Sequence, residues 1–141
     1  MPKINGQKIV PHSAEKIFNV VIDVKNYPNV LPFIQKINIL SKNENKITAR
    51  VFVGFSQLRF SYECEIISEP FKSIIITSNK SPFKHLKAEW FFEELESDLT
   101  QVHYKLNSEF RSYLMEATGG YIFAQQLQRS ILAFELELCK S

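Results

Sequence analysis

Cysteine is scarce in this chain of 141 residues, which holds only Cys64 and Cys139. Two cysteines are too few for a disulfide scaffold, and they lack the CxxC spacing of zinc or redox sites. Cys64 falls on the apolar side of an alternating run, which predicts a buried free thiol and fits a reducing compartment. Long apolar runs are missing as well. Nothing approaches the roughly 18 apolar residues of a membrane-crossing helix, and the segment Met1 to Gly6 lacks the apolar core of a signal peptide. A cytoplasmic location is the expectation. Nor is there an excess of one charge: 17 basic and 15 acidic side chains leave a net +2. That is not the footprint of a DNA-binding protein, and no polybasic stretch is present to draw the chain to a membrane. No glycine-rich phosphate loop, nucleophile elbow, internal repeat or low-complexity tract occurs.

What the sequence does have is rings: 12 Phe and 5 Tyr against a single Trp. Rings fill a core, and they also line cavities for flat or isoprenoid ligands. The length suits one domain. A first strand is predicted over Lys3 to Val10, stopped by Pro11. Ser13 is placed to cap a helix over 14–21 whose apolar stripe is Ile17, Phe18, Val21 and Ile22. Tyr27-Pro28 and Leu31-Pro32 break that helix into an irregular segment, with a further brief turn expected around Val30, Leu31, Phe33 and Ile34. From Lys36 to Arg111 strands dominate. Leu58, Phe60, Tyr62, Cys64 and Ile66 alternate with polar residues; so do Leu86, Ala88, Trp90 and Phe92, and Thr100 through Phe110. Period two with one polar face marks sheets that meet core on one side and water on the other. Turns at Asn43–Asn45, Gly54–Ser56 and Glu96–Asp98 imply antiparallel hairpins. A final helix should run from about Ser112 to Lys140 with Leu114, Ala117, Tyr121, Ala124, Leu127, Ile131, Phe134 and Leu138 on its apolar face. Its roughly 27 residues would span about 40 Å. Gly119-Gly120 interrupts it, through a bend or a close approach by a strand or ligand.

One helix cannot cover a seven-stranded face unless the sheet curls around it. Such a fold leaves an internal cavity, expected in the ligand-pocket range of roughly 300–1,000 Å³. The predicted class is therefore α+β: a curved antiparallel sheet of about seven strands wrapped around a long C-terminal helix. The local motifs are Val10 to Glu15, Phe18, Asp23-Val24, Tyr27-Pro28 and Leu31-Pro32-Phe33. Further along come Thr48-Ala49-Arg50, Pro82 to Leu86, Trp90, Phe92, Glu109-Phe110 and Phe123. In this order, over nearly the whole chain, they resemble the coenzyme Q-binding and polyketide cyclase/dehydrase branch of the START-like, or helix-grip, superfamily. The resemblance implies a non-enzymatic domain that binds ubiquinone or a related polyprenyl lipid in support of respiratory electron transport. The same family includes bacterial ribosome-association toxins that block subunit joining, and small-molecule cyclases form a third alternative. Where many relatives carry a cysteine after Phe33, this chain has Ile34, so a role tied to that thiol does not transfer.

The candidate ligand contacts are the inward rings Phe33, Phe60, Tyr62, Trp90, Phe92, Tyr104, Phe110 and Tyr121. Tyr62 and Tyr104 are the residues able to hydrogen-bond a quinone carbonyl. The segment Tyr27 to Phe33 is the expected portal, with exposed apolar residues touching a membrane surface, which would place the protein at the periphery of the inner membrane. No catalytic residue, metal or cofactor is expected: His12, His85 and His103 share no ligand spacing. His103 lies on a polar strand face, and His85 reads as a structural hydrogen-bonding group. Glu93, Glu94, Glu96 and Asp98 read as a solvated hairpin tip.

Overall fold

The computed structural model describes residues 3–55 and 57–140. Seven strands form one sheet: β1 Lys3–Val10, β2 Ile34–Lys42, β3 Lys46–Phe55, β4 Leu58–Glu69, β5 Ser73–Ser78, β6 Phe83–Glu96 and β7 Leu99–Phe110. Their order is β1-β7-β6-β5-β4-β3-β2, with every neighbouring pair antiparallel. Consecutive strands from β2 to β7 are adjacent, as short turns require, and only β1 returns across the fold to pair with β7. The predicted alternation holds: Tyr62, Cys64 and Ile66, and likewise Leu86, Trp90 and Phe92, are buried on the inner face. Ser56, part of the predicted turn between β3 and β4, lies outside the described residues.

Helix α1, Ala14–Ile22, begins where Pro11 ends β1. The Ser13 hydroxyl accepts from the Lys16 amide at 3.1 Å, and Glu94 Oε1 accepts from the Ala14 amide at 3.1 Å. Two otherwise orphaned donors are thus satisfied. Glu94 is consequently more than part of a solvated tip; it ties the β6 end to α1. A 3₁₀ turn at Val24–Asn26 leads into α2, Tyr27–Val30. The short turn therefore comes earlier than the sequence suggests, because Pro28 sits at the start of the helix, where its missing N–H costs nothing.

The final helical stretch has three parts: α3 Tyr113–Met115, a π-helical turn Glu116–Gly120, and α4 Tyr121–Leu138. Ser112 caps it, its hydroxyl accepting from the Met115 amide at 3.1 Å. The apolar face is as predicted from Ala124 onward but not before. Leu114, Ala117 and Tyr121 point to solvent, and the buried positions of that first third are Gly119, Gly120 and Phe123. A glycine gives no apolar signal, so a buried face made of glycines is invisible to hydrophobic periodicity. The wide π turn also shifts the phase of what precedes it. Both glycines answer close approaches. A Cβ on Gly119 would lie 2.7 Å from Leu58 Cδ1, and one on Gly120 would lie 2.8 Å from the Glu116 carboxylate. That carboxylate in turn accepts from the Phe110 amide at 2.9 Å, closing β7 onto the helix.

Two aromatic anchors hold α4 to the sheet. Phe123 enters a knot of rings from β4, β6 and β7: it lies 5.3 Å from Phe83, 5.5 Å from Phe60 and 5.9 Å from Phe110, centroid to centroid. Phe83 and Phe110 stack at 4.8 Å, and Phe33 completes the knot at 6.5 Å from Phe123. Three turns further on, Phe134 packs 5.4 Å from Tyr27 and 5.6 Å from Trp90. Truncating the first anchor, Phe123→Ala, should destabilise the fold by about 3–5 kcal/mol, whereas Tyr121→Ala, at a residue 70% exposed, should change stability by no more than about 0.5 kcal/mol. Urea unfolding of the two variants checks both figures.

Candidate functional site

Between the two anchors α4 does not close on the sheet, and the space beneath it is an apolar cavity of about 80 Å³. Tyr62 and Cys64 of β4, Trp90 of β6 and Tyr104 of β7 form its aromatic and thiol lining, while Ala49 and Ala88 leave the floor low. Leu127, Ile131 and Phe134 of α4 roof it, and Tyr27 and Leu31 close the side toward α2. The volume falls short of the roughly 300–1,000 Å³ expected of ligand pockets. The physical reason is the ring knot, which fills the end of the curled sheet that a deeper cavity would need.

The eight rings singled out in the sequence divide accordingly. Tyr62, Trp90 and Tyr104 line the cavity. Phe33, Phe60 and Phe110 do not; they belong to the knot around Phe123. Phe92 packs against Phe18 of α1 at 6.2 Å, away from the cavity. Tyr121 stands on the solvent face of α4. Sequence reasoning missed the small floor residues Ala49 and Ala88, whose signal was an alanine at an inward strand position. The predicted portal also differs. Tyr27, Leu31 and Phe33 are buried, because α2 turns them into the core. The exposed lining residues are instead Lys105 of β7 and Gln128 of α4, so the mouth lies between α4 and the β7 side of the sheet.

Charged residues border the cavity at Glu89 and Lys105, and its other polar groups are few. The Tyr27 hydroxyl donates to the Val21 carbonyl and the Ser130 hydroxyl to the Leu127 carbonyl, so both are satisfied by the fold. Tyr62 is a buried residue whose hydroxyl makes no hydrogen bond among the described residues. Burial drives the Tyr62 and Tyr27 phenols well above their ordinary range, with smaller contributions from the neighbouring Cys64 thiol. Burial, followed by the charges of Glu63 and Glu65, pushes the Cys64 thiol up to about 12. At neutral pH the cavity therefore presents un-ionised donors and no thiolate nucleophile. Cys139, the other cysteine, is exposed.

The opposite face of the sheet is polar. A groove of about 460 Å³ there is lined by Thr48, Glu63, Thr77, Lys80, His85 and Lys87. Glu63 pairs with Arg50 at 3.2 Å and Lys80 at 3.3 Å. His85 Nε2 lies 3.1 Å from Asn107 Oδ1, which fits a structural hydrogen bond. His103 faces Glu93 at 3.4 Å on the same outer side. Among the described residues no group of three His, Cys, Asp or Glu side chains is placed to hold a metal.

The arrangement of a curled sheet around a terminal helix is found in solved structures of low sequence identity. An aromatase/cyclase from a Streptomyces species superposes with a TM-score of 0.85 at 15% identity, covering 97% of this chain and 93% of that one. A START superfamily protein from Mycobacterium smegmatis superposes at 0.80 with 18% identity, covering 98% and 97%. In sequence, the persistence and stress-resistance toxin PasT of Escherichia coli is 30% identical over 95% of this chain and 85% of its own. The ribosome association toxin RatA of Vibrio cholerae is 30% identical over 95% and 93%. A mitochondrial coenzyme Q-binding protein of Xenopus laevis is 26% identical over 91% of this chain and 54% of its own length. Residues 10–135 match the family described as polyketide cyclase/dehydrase and lipid transport, and with its helix-grip fold the chain belongs to that START-like family.

Proposed function

We propose that this domain binds, without catalysing a reaction, an apolar ligand that carries a carbonyl acceptor: ubiquinone or a related polyprenyl quinone. The observation that supports this most is the Tyr62 hydroxyl, a neutral donor without a protein partner at the wall of an apolar cavity. A carbonyl placed against it would add one hydrogen bond, worth about 0.5–1.5 kcal/mol. Trp90 and Tyr104 supply flat walls for a quinone ring. A binding role fits better than a cyclase, because burial holds the Tyr27 and Tyr62 phenols and the Cys64 thiol un-ionised, which suits them to donating hydrogen bonds rather than to general-base work. At about 80 Å³ the cavity takes only part of such a molecule, so binding requires α4 to lift between its two anchors. A second reading, association with ribosomal particles, is favoured by the relatives named for it, which at 30% identity stand nearer than the coenzyme Q-binding protein at 26%.

Solvent extraction and mass spectrometry of the purified protein, with titration of a short-chain ubiquinone, test the first reading. Tyr62→Phe should keep the fold and weaken binding by about three- to tenfold, the worth of one hydrogen bond. Ala88→Phe should fill the cavity and abolish binding, while Tyr121→Ala should bind like wild type. A wild type that is empty and takes up no quinone overturns the reading, and ribosome sedimentation then tests the second.

The same buried groups set a pH dependence. Below about pH 8.5 both folded and unfolded states hold the Cys64 and tyrosine protons. Above it the unfolded thiol and then the unfolded phenols ionise, while in the folded state Cys64 stays protonated up to about 12. Stability should therefore be level through neutral pH and fall as pH rises from about 8.5 toward 12. Thermal unfolding across that window should show the fall, and Cys64→Ala with Tyr62→Phe should displace it to higher pH.

A further inference from the structure

The solvent side of the terminal helical stretch is composed unlike the rest of the surface. Five of its side chains are large, apolar and exposed: Tyr113 at 89%, Leu114 at 71%, Tyr121 at 70%, Leu132 at 58% and Leu136 at 68%. The other exposed residues between 111 and 140 are Arg111, Ser112, Ala117, Thr118, Gln125, Gln128, Arg129, Cys139 and Lys140. Every charge among them is positive. The acids of this stretch are half-buried and held: Glu116 accepts from the Phe110 amide, Glu135 pairs with Lys8 of β1, and Glu137 accepts from Asn26 and pairs with Lys140 at 3.3 Å, while the Arg111 guanidinium donates to the Phe83 and Asn79 carbonyls. A chain with net charge of only +2 thus carries, along its longest helix, an apolar face whose fully exposed charges are all basic.

This face adjoins the cavity mouth. Gln128, at the rim, lies on the same exposed side as Tyr121 one way and Leu132 the other, two turns and one turn along the helix. Leucine and tyrosine side chains flanked by arginine and lysine are the composition that seats a helix in the interface of a bilayer with anionic headgroups. A nucleic-acid surface would meet the positive charges but leave five large apolar side chains without a partner. We propose that this face docks on an anionic lipid bilayer and holds the cavity mouth against it. In a protein that takes a polyprenyl quinone, an inference that rests on the function proposed above, the tail that the cavity cannot hold then stays in the bilayer while the ring enters beneath α4.

Flotation with phosphatidylcholine vesicles, with and without phosphatidylglycerol, tests the docking apart from quinone binding. The wild type should float with the anionic vesicles, less with neutral ones, and less as salt screens the basic residues. Leu132→Ser/Leu136→Ser should lower partitioning by about tenfold or more, while melting like wild type and binding short-chain ubiquinone equally well in solution. Arg129→Gln should weaken binding to anionic vesicles alone. A wild type that stays in the supernatant, whether free, self-associated or on added ribosomal particles, overturns the proposal; so does undiminished flotation of the double variant. Flotation that persists in a protein unable to bind quinone leaves the docking face standing and removes only the ligand reading.

Discussion

Phe123 and the rings around it are what turn a sheet and a helix into a container. Each edge-on or stacked ring contact adds about 0.5–1.5 kcal/mol beyond the area it buries, and Phe123 meets rings from β4, β6 and β7 together with Phe33. Without that knot the terminal helix would keep, as an aromatic anchor, Phe134 with Tyr27 and Trp90. The curl of the sheet, the two alanines on its floor and the roof of α4 then leave a space between the anchors. The container is a consequence of where the rings are, and its modest size follows from how completely they fill one end.

The polar and apolar faces divide the chemistry. Arg50, Glu63 and Lys80, His85 with Asn107, and His103 with Glu93 lie on the outer sheet face, tied to one another. Inside, desolvation holds the Tyr27 and Tyr62 phenols and the Cys64 thiol in their neutral forms, and charge reaches the lining only at Glu89 and Lys105, among the described residues. Such a cavity discriminates against charged ligands through the cost of burying them. It suits a molecule that is apolar apart from an acceptor.

Much of this was legible in the sequence where the pattern had a strict period. β4 and β7 alternate through their central parts, and the Ser13 cap marked the start of α1. Legibility failed where backbone chemistry replaced side-chain chemistry. Gly119 and Gly120 occupy the buried face of the terminal helix, so counting apolar residues across them selected Tyr121, on the wrong side. The cavity was only partly visible for a related reason. A ring at an inward position reads the same whether it packs against other rings, as Phe60 and Phe110 do, or borders a space, as Tyr62 and Trp90 do. The difference is decided by small neighbours on adjacent strands, Ala49 and Ala88, which a single strand's pattern does not reveal.

The apolar outer face of the terminal helix also governs how the molecule behaves as a colloid. A net charge of +2 gives weak mutual repulsion between copies in solution, and that repulsion shrinks further as pH rises above neutral. The stripe from Tyr113 to Leu136 is then the surface through which copies first adhere. Buffer below neutral pH, where the net charge is more positive, keeps the protein dispersed, whereas mildly alkaline conditions bring it nearest to precipitation.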